Sequence, residues 1–285
     1  MNTGTNVLWY RQEAQSWNEA LPLGNGRLGA MVYGGALHEK ISLNEDTLWS
    51  GYPTYYTRPG AAESYRKARQ LAKDGRYVEA EEELEQNFTN LWSQVYLALG
   101  DLDLSFKHEE EILGYSRSLD MAQAIHRVSY EAGGVHYERE AFISQPDQAL
   151  ILKITADRPG SLSFGISLDP ALQAEIRVEE ESLSFRGHAP RYDWQFHHGQ
   201  DPRGKLVYGD TDAVRGMGFC CVVRVKTDGQ VLESSGSLEV QGAGEAILYL
   251  DARTSFNGWN RHPVLEGRPY IEPCRENLAK VMQQD

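Results

Sequence analysis

The chain has 285 residues, of which 41% are hydrophobic, so it can form one large β domain or two small domains. The formal net charge is −13, which argues against nucleic acid and anionic membranes as partners, because both require basic patches. Three cysteines are too few for a disulfide framework, and neither zinc-type spacing nor a cofactor motif in the right context is present. We therefore expect no metal and no cofactor.

The N-terminus lacks the features of a secretory signal peptide. The first six residues, Met1 to Asn6, contain neither a charged region nor an apolar stretch. No apolar run in the chain approaches membrane-spanning length. We expect a cytoplasmic protein, unless a leader has been removed from a secreted form.

The segment 17–51 predicts a β-hairpin. Ala30–Tyr33 is apolar and flanked by glycine, and Leu37–Leu43 alternates between apolar and polar residues with the period of a strand. Glu39 is the one polar exception on the apolar side of the second strand. Gly34 and Gly35 supply the turn, because glycine reaches positive φ without steric cost.

Polar residues that a core does not need lie at both ends of this hairpin. Asn25 and Arg27 precede the first strand, and Asn44, Glu45 and Trp49 follow the second. Because antiparallel strands bring these ends side by side, we expect Arg27 near Glu45 or Asp46 with Trp49 as an apolar wall. A polar cluster with one aromatic wall suits a sugar. The candidate substrate-binding residues are Asn25, Arg27, Asn44, Glu45 and Trp49.

The same stretch imitates a dinucleotide-binding motif. Residues Gly24 to Gly29 match the glycine fingerprint, which functions only between a strand and a helix. Pro22 interrupts the approach, and the short segment after Gly29 ends in two glycines. No helix can start there, so the sequence predicts no nucleotide site.

Residues 61–88 are the one convincing helical region, and they predict an αα-hairpin. Apolar stripes run from Tyr65 to Ala72 and from Tyr77 to Phe88, and Asp74-Gly75 suits the turn between two helices. An aromatic loop, residues 52–60, precedes this hairpin.

After residue 96 the pattern predicts many strands separated by turn residues. Short spacing with few intervening helices favours antiparallel sheets, so we expect a mainly β fold built as a large antiparallel β-sandwich. Cys220 and Cys221 are adjacent in one strand, so they point to opposite faces, and we expect both to be buried. His197 and His198 suggest either a metal ligand pair or a long surface loop, and diverging neighbours favour the loop. Residues 271–285 predict a loop followed by the start of a helix, with no apparent packing partner.

The motifs taken together resemble the N-terminal domain of family 95 glycoside hydrolases, the inverting alpha-L-fucosidases. The pieces that carry the resemblance occur in the family's order: residues 17–31, 43–51, 99–102, 115–120, 139–142, 144–148 and 252–255. One departure is Ala98, where the family usually has proline.

This resemblance implies a sandwich over residues 1–270, a linker from 271 to 285 and a catalytic (α/α)6 barrel downstream. The catalytic acid and the water-activating Asp of the family belong to that barrel, so no catalytic role is assigned to this chain. The implied partners are a fucosylated oligosaccharide, or one bearing L-galactose, and the intramolecular barrel.

Two further interpretations remain open at this stage. Glycoside hydrolysis needs two carboxyl groups about 6.5–9.5 Å apart in an inverting enzyme, and the acids in motif-like surroundings are Glu19, Glu45 and Asp46. Glu45 and Asp46 are adjacent and cannot readily flank a sugar, so a turn-capping role competes with a functional one. The chain could also be a free-standing carbohydrate-binding sandwich. Its stacking rings would then come from Trp17, Trp49, Tyr55 and Tyr56.

Overall fold

The structure is a computed structural model that describes residues 6–53, 58–88, 94–109, 111–191 and 207–284. Its strands are β1 Val7–Tyr10, β2 Leu21–Gly24, β3 Leu28–Val32, β4 His38–Glu45, β5 Gly100–Phe106, β6 Ile112–Asp120, β7 Ile125–Ala132, β8 Val135–Ser144, β9 Ala149–Ala156, β10 Leu162–Pro170, β11 Ala174–Glu179, β12 Ser182–His188, β13 Gly218–Thr227, β14 Gln230–Ser234, β15 Ser237–Ala243 and β16 Glu245–Thr254. The α-helices are α1 Ala61–Lys73, α2 Tyr77–Asn87 and α3 Ile271–Val281.

The strands form two antiparallel sheets. The nine-stranded sheet has the order β1-β6-β7-β8-β9-β16-β13-β12-β11, and the seven-stranded sheet has the order β14-β15-β10-β5-β4-β3-β2. The main core lies between them and contains Leu104, Ile154, Phe164, Phe219 and Leu248, among others. The predicted antiparallel β-sandwich is therefore confirmed.

The hairpin predicted within segment 17–51 forms strands β3 and β4. Residues 39, 41, 43 and 45 of β4 are buried, and the residues between them are partly exposed, as a period of two requires. Residues Gly24 to Gly29 form the turn from β2 into β3, so the glycine fingerprint begins a strand rather than a helix. The seven-stranded sheet thus begins with three strands that are consecutive in the sequence.

Helices α1 and α2 form the predicted αα-hairpin between β4 and β5. Gly75 ends the first helix with φ +78°, which favours glycine, and Ser64 Oγ donates a hydrogen bond to the Glu83 carbonyl on the other helix. Small side chains, Ala68 and Ala80, are buried where the helices meet. The predicted apolar stripes are only partly covered, because Tyr77 remains 71% exposed.

Helix α3 lies on the outer face of the nine-stranded sheet. Its buried side chains Cys274, Leu278 and Val281 pack with Cys220 of β13 and Tyr249 of β16. The helix expected to start after residue 271 is present, and it has a packing partner that the sequence did not indicate. Within the described residues, no helix is long and apolar enough to cross a membrane.

The cysteines are buried as predicted. Cys221 faces the core between the sheets, whereas Cys220 faces outward beneath α3, so neighbours on one strand do point to opposite faces. His197 and His198 lie outside the described residues, and so do Tyr55 and Tyr56.

A buried ion pair joins the two sheets. Arg139 of β8 lies 3.2 Å from Glu39 of β4, and both side chains are 2% exposed. The guanidinium also donates to the Gly35 carbonyl at 2.7 Å and lies over the rings of Phe106 and Tyr130. Burial raises the pKa of Glu39, and the Arg139 charge opposes that shift. The polar exception in the β4 pattern is therefore half of a cross-sheet contact.

We expect Arg139→Met to lower the free energy of unfolding by about 3–5 kcal/mol, because it leaves the Glu39 carboxylate buried without its partner. Urea unfolding followed by circular dichroism measures the change. Arg127→Met is the matched control, since Arg127 pairs with Glu140 on the exposed face of the neighbouring strands. It should cost about 0–1 kcal/mol. Equal costs for the two variants would contradict a cross-sheet role for Arg139.

A buried histidine makes the fold sensitive to acid. His126 of β7 is 1% exposed, and among the described residues its Nε2 has no hydrogen-bond partner. Burial, with smaller contributions from Arg139 and Arg117, lowers the pKa of His126 to about 3. The unfolded chain binds a proton near the ordinary histidine pKa of 6.5, whereas the folded chain does not bind it until about pH 3.

Lowering the pH from 7 to 5 should therefore remove about 2 kcal/mol of stability through His126 alone, since each unit of pKa difference is worth about 1.4 kcal/mol. Urea unfolding at both pH values should show this loss in the wild type and a smaller loss in His126→Leu. His136→Gln, which removes an exposed histidine from the adjacent strand, should keep the wild-type dependence. An unchanged acid dependence in His126→Leu would contradict the assignment.

Candidate functional site

The turn between β2 and β3 is held by the side chain of Asn25. Its Oδ1 accepts hydrogen bonds from the backbone N–H of Arg27 at 3.0 Å and of Leu28 at 2.9 Å. Gly26, which lies between Asn25 and Arg27, has φ +92°, a left-handed conformation that favours glycine. The Asn25 Nδ2 donates to the Ser144 carbonyl at 3.0 Å, which ties the turn to the other sheet. Asn25 thus presents Arg27 at a fixed place.

The Arg27 guanidinium reaches across to the nine-stranded sheet. Its Nε donates to Gln148 Oε1 at 2.7 Å, and its Nη2 donates to the Gln148 carbonyl and to Asp251 Oδ1, both at 2.8 Å. Its Nη1 donates to the Ala252 carbonyl. The β16–β9 pairing ends at Leu250 opposite residue 150, so Arg27 occupies the open side of β16 beyond that point. The side chain still keeps 24% exposure.

Gln148 holds Arg27 through both its main chain and its side chain. It has φ +53°, which is uncommon for a residue other than glycine. Its own Nε2 donates to the Gln145 carbonyl at 2.6 Å, which closes the turn between β8 and β9. The hydrogen bonds of Gln148 to Arg27 and Gln145 hold the residue in this conformation.

Glu45 ends β4 on its buried side. Its Oε2 accepts hydrogen bonds from the Thr47 backbone N–H at 2.8 Å and from Thr47 Oγ1 at 2.6 Å, and its Oε1 lies 3.7 Å from Arg27 Nη1. Burial raises the pKa of Glu45, and the Thr47 hydrogen bonds and the Arg27 charge oppose that shift. Thr47 Oγ1 also forms a hydrogen bond with Thr254 Oγ1 at the end of β16. The carboxyl therefore shapes the loop that follows β4.

Two exposed rings stand beside this carboxyl. Trp49 and Tyr96 form a bridge between two loops, with ring centroids 5.6 Å apart and planes tilted by 56°. Trp49 is 43% exposed, and its Nε1 donates to the Asp46 carbonyl at 3.1 Å. Partial burial raises the pKa of Tyr96, and the nearby Asn44 side chain opposes that shift. The two rings form an apolar surface next to the polar side chains of Asn44 and Glu45.

We call Asn25, Arg27, Asn44, Glu45, Trp49 and Tyr96 the edge cluster. The structure brings the five predicted residues together at one end of the sandwich, and it adds Tyr96, Gln148 and Asp251, which sequence reasoning did not select. Two of these omissions lie in or beside pieces that carry the family resemblance, 144–148 and 252–255. The position of Gln148 in one piece, and of Asp251 directly before the other, was the sequence signal that could have selected them.

Trp17 and Glu19 lie at the other end of the β2–β3 hairpin. Both precede Leu21, which pairs with Val32, whereas Glu45 pairs with Leu28. The Glu19 carboxylate accepts a hydrogen bond from the Gln15 backbone N–H at 2.7 Å. Glu19 and Glu45 therefore do not form an acid pair, and Trp17 does not extend the aromatic wall.

The carboxyl groups in and beside the edge cluster, Glu45 and Asp251, both have partners. Asp251 is fully buried, and both of its carboxylate oxygens have partners. Its Oδ1 binds Arg27, and its Oδ2 binds Arg253 and Asn277. Within the described residues, no group of three His, Cys, Asp or Glu side chains could hold a metal ion. The exposed parts of Arg27, Asn44 and the two rings can bind a polar ligand that also has an apolar face.

A separate cavity of about 350 Å³ lies between the start of α3 and the outer face of β11–β13. Its arginines are already paired, Arg177 and Arg186 with Glu175 and Arg275 with Glu179. These pairs neutralise the lining, so the cavity offers no net charge to a ligand. We therefore place the candidate site at the edge cluster.

The fold and the edge cluster define a two-sheet antiparallel sandwich that presents a polar and aromatic surface at one end. Residues 8–259 match the family model described as the N-terminal domain of glycosyl hydrolase family 65. The chain belongs to this family of glycosyl hydrolase N-terminal domains.

The relatives of the chain are alpha-fucosidases. Alpha-L-fucosidase 2 of Arabidopsis thaliana is 34% identical over 276 residues, which cover 94% of this chain and 32% of that protein. Probable alpha-fucosidase A of Aspergillus niger is 28% identical over 257 residues, covering 85% and 29%. The protein of the same name from Aspergillus oryzae is 26% identical over 268 residues, covering 89% and 34%. The chain thus spans about a third of the length of these relatives.

The site geometry predicts a larger loss of stability on replacing Asn25, which holds the turn, than on replacing the exposed Trp49. Asn25→Ala removes one acceptor and one donor that fix the turn, so we expect it to lower the free energy of unfolding by about 1–3 kcal/mol. Trp49→Ala removes a ring that is 43% exposed, so we expect a smaller cost of about 0.5–1 kcal/mol. Urea unfolding of both variants measures the difference. A larger cost for Trp49→Ala than for Asn25→Ala would mean that the ring is structural.

Proposed function

We propose that this chain is the N-terminal sandwich domain, residues 1–270, of an alpha-L-fucosidase of the family 95 type. In that enzyme it docks a catalytic (α/α)6 barrel and lends the edge cluster to the sugar site. The parent enzyme hydrolyses terminal alpha-L-fucosyl linkages, or related alpha-L-galactosyl linkages, with inversion. Relatives that are alpha-fucosidases and about three times as long support this proposal.

The observation that carries the sugar-site role is the composition of the edge cluster. Asn44 offers hydrogen-bonding groups to hydroxyls, and Arg27 adds at most the one Nη1 N–H that is not donated to Gln148, Asp251 or Ala252. Trp49 with Tyr96 offers ring surface to the C–H face of a pyranose. The donors and the rings are held by backbone and side-chain hydrogen bonds, so little ordering is needed when a ligand binds.

The docking role is supported by exposed apolar side chains. They lie on the αα-hairpin and on the loop after β16: Tyr65, Tyr77, Val78, Trp259 and Leu265. A contiguous patch of exposed apolar groups marks a surface that a partner or a further domain covers, and these side chains are the candidates for such a patch. The loop after β16 adjoins the edge cluster, because Thr254 contacts Thr47 and His262 stacks on Tyr52 with centroids 5.1 Å apart.

A second candidate function is a free-standing carbohydrate-binding module. The exposed Trp49–Tyr96 pair favours it, because such a pair can stack on a sugar without any catalytic domain. Titration of the 285-residue chain with L-fucose and a fucosylated oligosaccharide separates the two. Binding by the chain alone supports the module, and binding that requires the rest of the source gene's product supports the proposed domain.

We expect Trp49→Ala, placed in the product of the complete source gene, to reduce kcat/KM on an aryl alpha-L-fucoside. A stacking contact is worth about 1–3 kcal/mol by analogy with other ring contacts, which corresponds to a loss of about five- to 150-fold. The matched control is Trp9→Ala, which removes another exposed tryptophan from β1, the edge strand at one end of the nine-stranded sheet. That control should leave kcat/KM unchanged.

Two outcomes would overturn the proposal. Unchanged kinetics in Trp49→Ala would remove the edge cluster from the sugar site. Turnover by the 285-residue chain alone, lost on Glu45→Gln or Glu19→Gln, would place the chemistry in this chain instead of in a barrel.

A further inference from the structure

Helix α3 is connected to the edge cluster by one side chain. Asn277 projects from the side of α3 that faces the sheet, next to the buried Leu278. Its Nδ2 donates to the Asp147 carbonyl at 2.9 Å and to Asp251 Oδ2 at 3.1 Å. The first contact reaches the turn that contains Gln148, and the second reaches the carboxylate that holds Arg27.

Asp251 is the centre of this connection. Its Oδ1 binds Arg27 Nη2 at 2.8 Å, and its Oδ2 binds Arg253 Nε at 2.8 Å as well as Asn277. The carboxylate is fully buried, so losing a donor carries the cost of a buried, under-satisfied charge. Cys274 Sγ, one turn earlier on α3, donates to the Asp251 backbone carbonyl at 3.2 Å. Helix α3 thus contacts both the main chain and the side chain of this residue.

The turn before β9 receives the same support. Asn277 holds the carbonyl of Asp147, and the next residue, Gln148, has the uncommon φ of +53°. Gln148 supplies two of the four acceptors used by Arg27. A strained turn persists only where its surroundings hold it, and Asn277 is one of the groups that do so.

We propose that Asn277 is a positioning residue for the edge cluster, and that the seating of α3 on the sheet and the placement of Arg27 are energetically coupled through Asp251 and the Asp147–Gln148 turn. When α3 is seated, three of the four Arg27 acceptors lie in groups that Asn277 holds directly or through the adjacent residue. When α3 shifts, Asp251 and the turn each lose a donor, and Arg27 loses its fixed partners. The effect on sugar binding rests on the proposed function, whereas the coupling itself does not.

Hydrogen exchange of the 285-residue chain, measured by mass spectrometry without any sugar, tests this coupling. In Asn277→Ala we expect the peptides that contain residues 25–28 and 145–148 to exchange about five- to 150-fold faster, because the loss of a partner for a buried polar group costs about 1–3 kcal/mol. The β14–β15 hairpin at the far edge of the other sheet should exchange at the wild-type rate. Glu276→Ala, which changes the exposed neighbour on the same helix, should leave all of these peptides unchanged.

Two additional variants distinguish a donor from simple packing. Asn277→Asp keeps the shape of the side chain but turns a carboxylate toward Asp251, so it should exchange at least as fast as Asn277→Ala. The double variant Arg27→Met with Asn277→Ala should lose less free energy of unfolding than the two single variants lose together. The second change removes a contact that the first has already broken.

Wild-type protection in Asn277→Asp, or additive free energies of unfolding in the double-mutant cycle, would overturn the coupling. The same conclusion follows if Asn277→Ala speeds exchange in α3 but not at residues 25–28. None of these results depends on sugar binding, so a failure of the coupling is distinguishable from a failure of the proposed function, which is tested by the Trp49→Ala kinetics.

Discussion

The contact between Glu39 and Arg139 is the constraint on which the arrangement of the two sheets depends. A buried carboxylate and a buried guanidinium favour one relative position of the two sheets, because a displaced charge has no solvent to replace its partner. Strand β4 carries this anchor at residue 39 and the site carboxyl at residue 45, on the same buried side. Residues 39 and 45 are six positions apart along the strand, which corresponds to about 20 Å. The edge cluster is therefore built at the end of an element whose position the core fixes, which is what a binding site needs in order to hold its geometry.

Arg27 gives a physical meaning to short sequence pieces that are far apart. Its partners come from the turn before β9 and from the end of β16, which are more than 100 residues away from it in the sequence. These segments contribute the carbonyl and side-chain oxygen of Gln148, the carboxylate of Asp251 and the carbonyl of Ala252. A single guanidinium with five N–H donors can bind all of these groups at once. The pieces of the resemblance at 144–148 and 252–255 thus mark acceptors arranged around one side chain, not separate sites.

Local features of the chain could be predicted from the sequence, and partnerships between remote residues could not. The alternation in β4 and the turn at Gly75 depend on neighbouring residues, so the pattern alone indicated them. Glu39 stood out as a polar residue in an apolar row, but nothing near it in the sequence names Arg139 as its partner. The same limit applies to Asp251, which lies on the outer face of β16 and acquires its role only because α3 covers it. Helix α3 itself was expected, yet its packing on β13 and β16 depends on how a distant segment folds back.

The electrostatics of the edge cluster explain why we assign it to binding rather than to acid–base chemistry. A catalytic carboxyl must exchange a proton with substrate or water during the reaction, so at least one of its oxygens must be reachable and free of permanent donors. Asp251 has both oxygens occupied and no exposed surface, and the Oε2 of Glu45 is held by two donors from Thr47 while Arg27 faces the other oxygen. What remains available at this end of the sandwich is the exposed part of Arg27, the Asn44 side chain and two rings. These groups can hydrogen-bond and stack on a ligand but cannot divide the roles of acid and base between them.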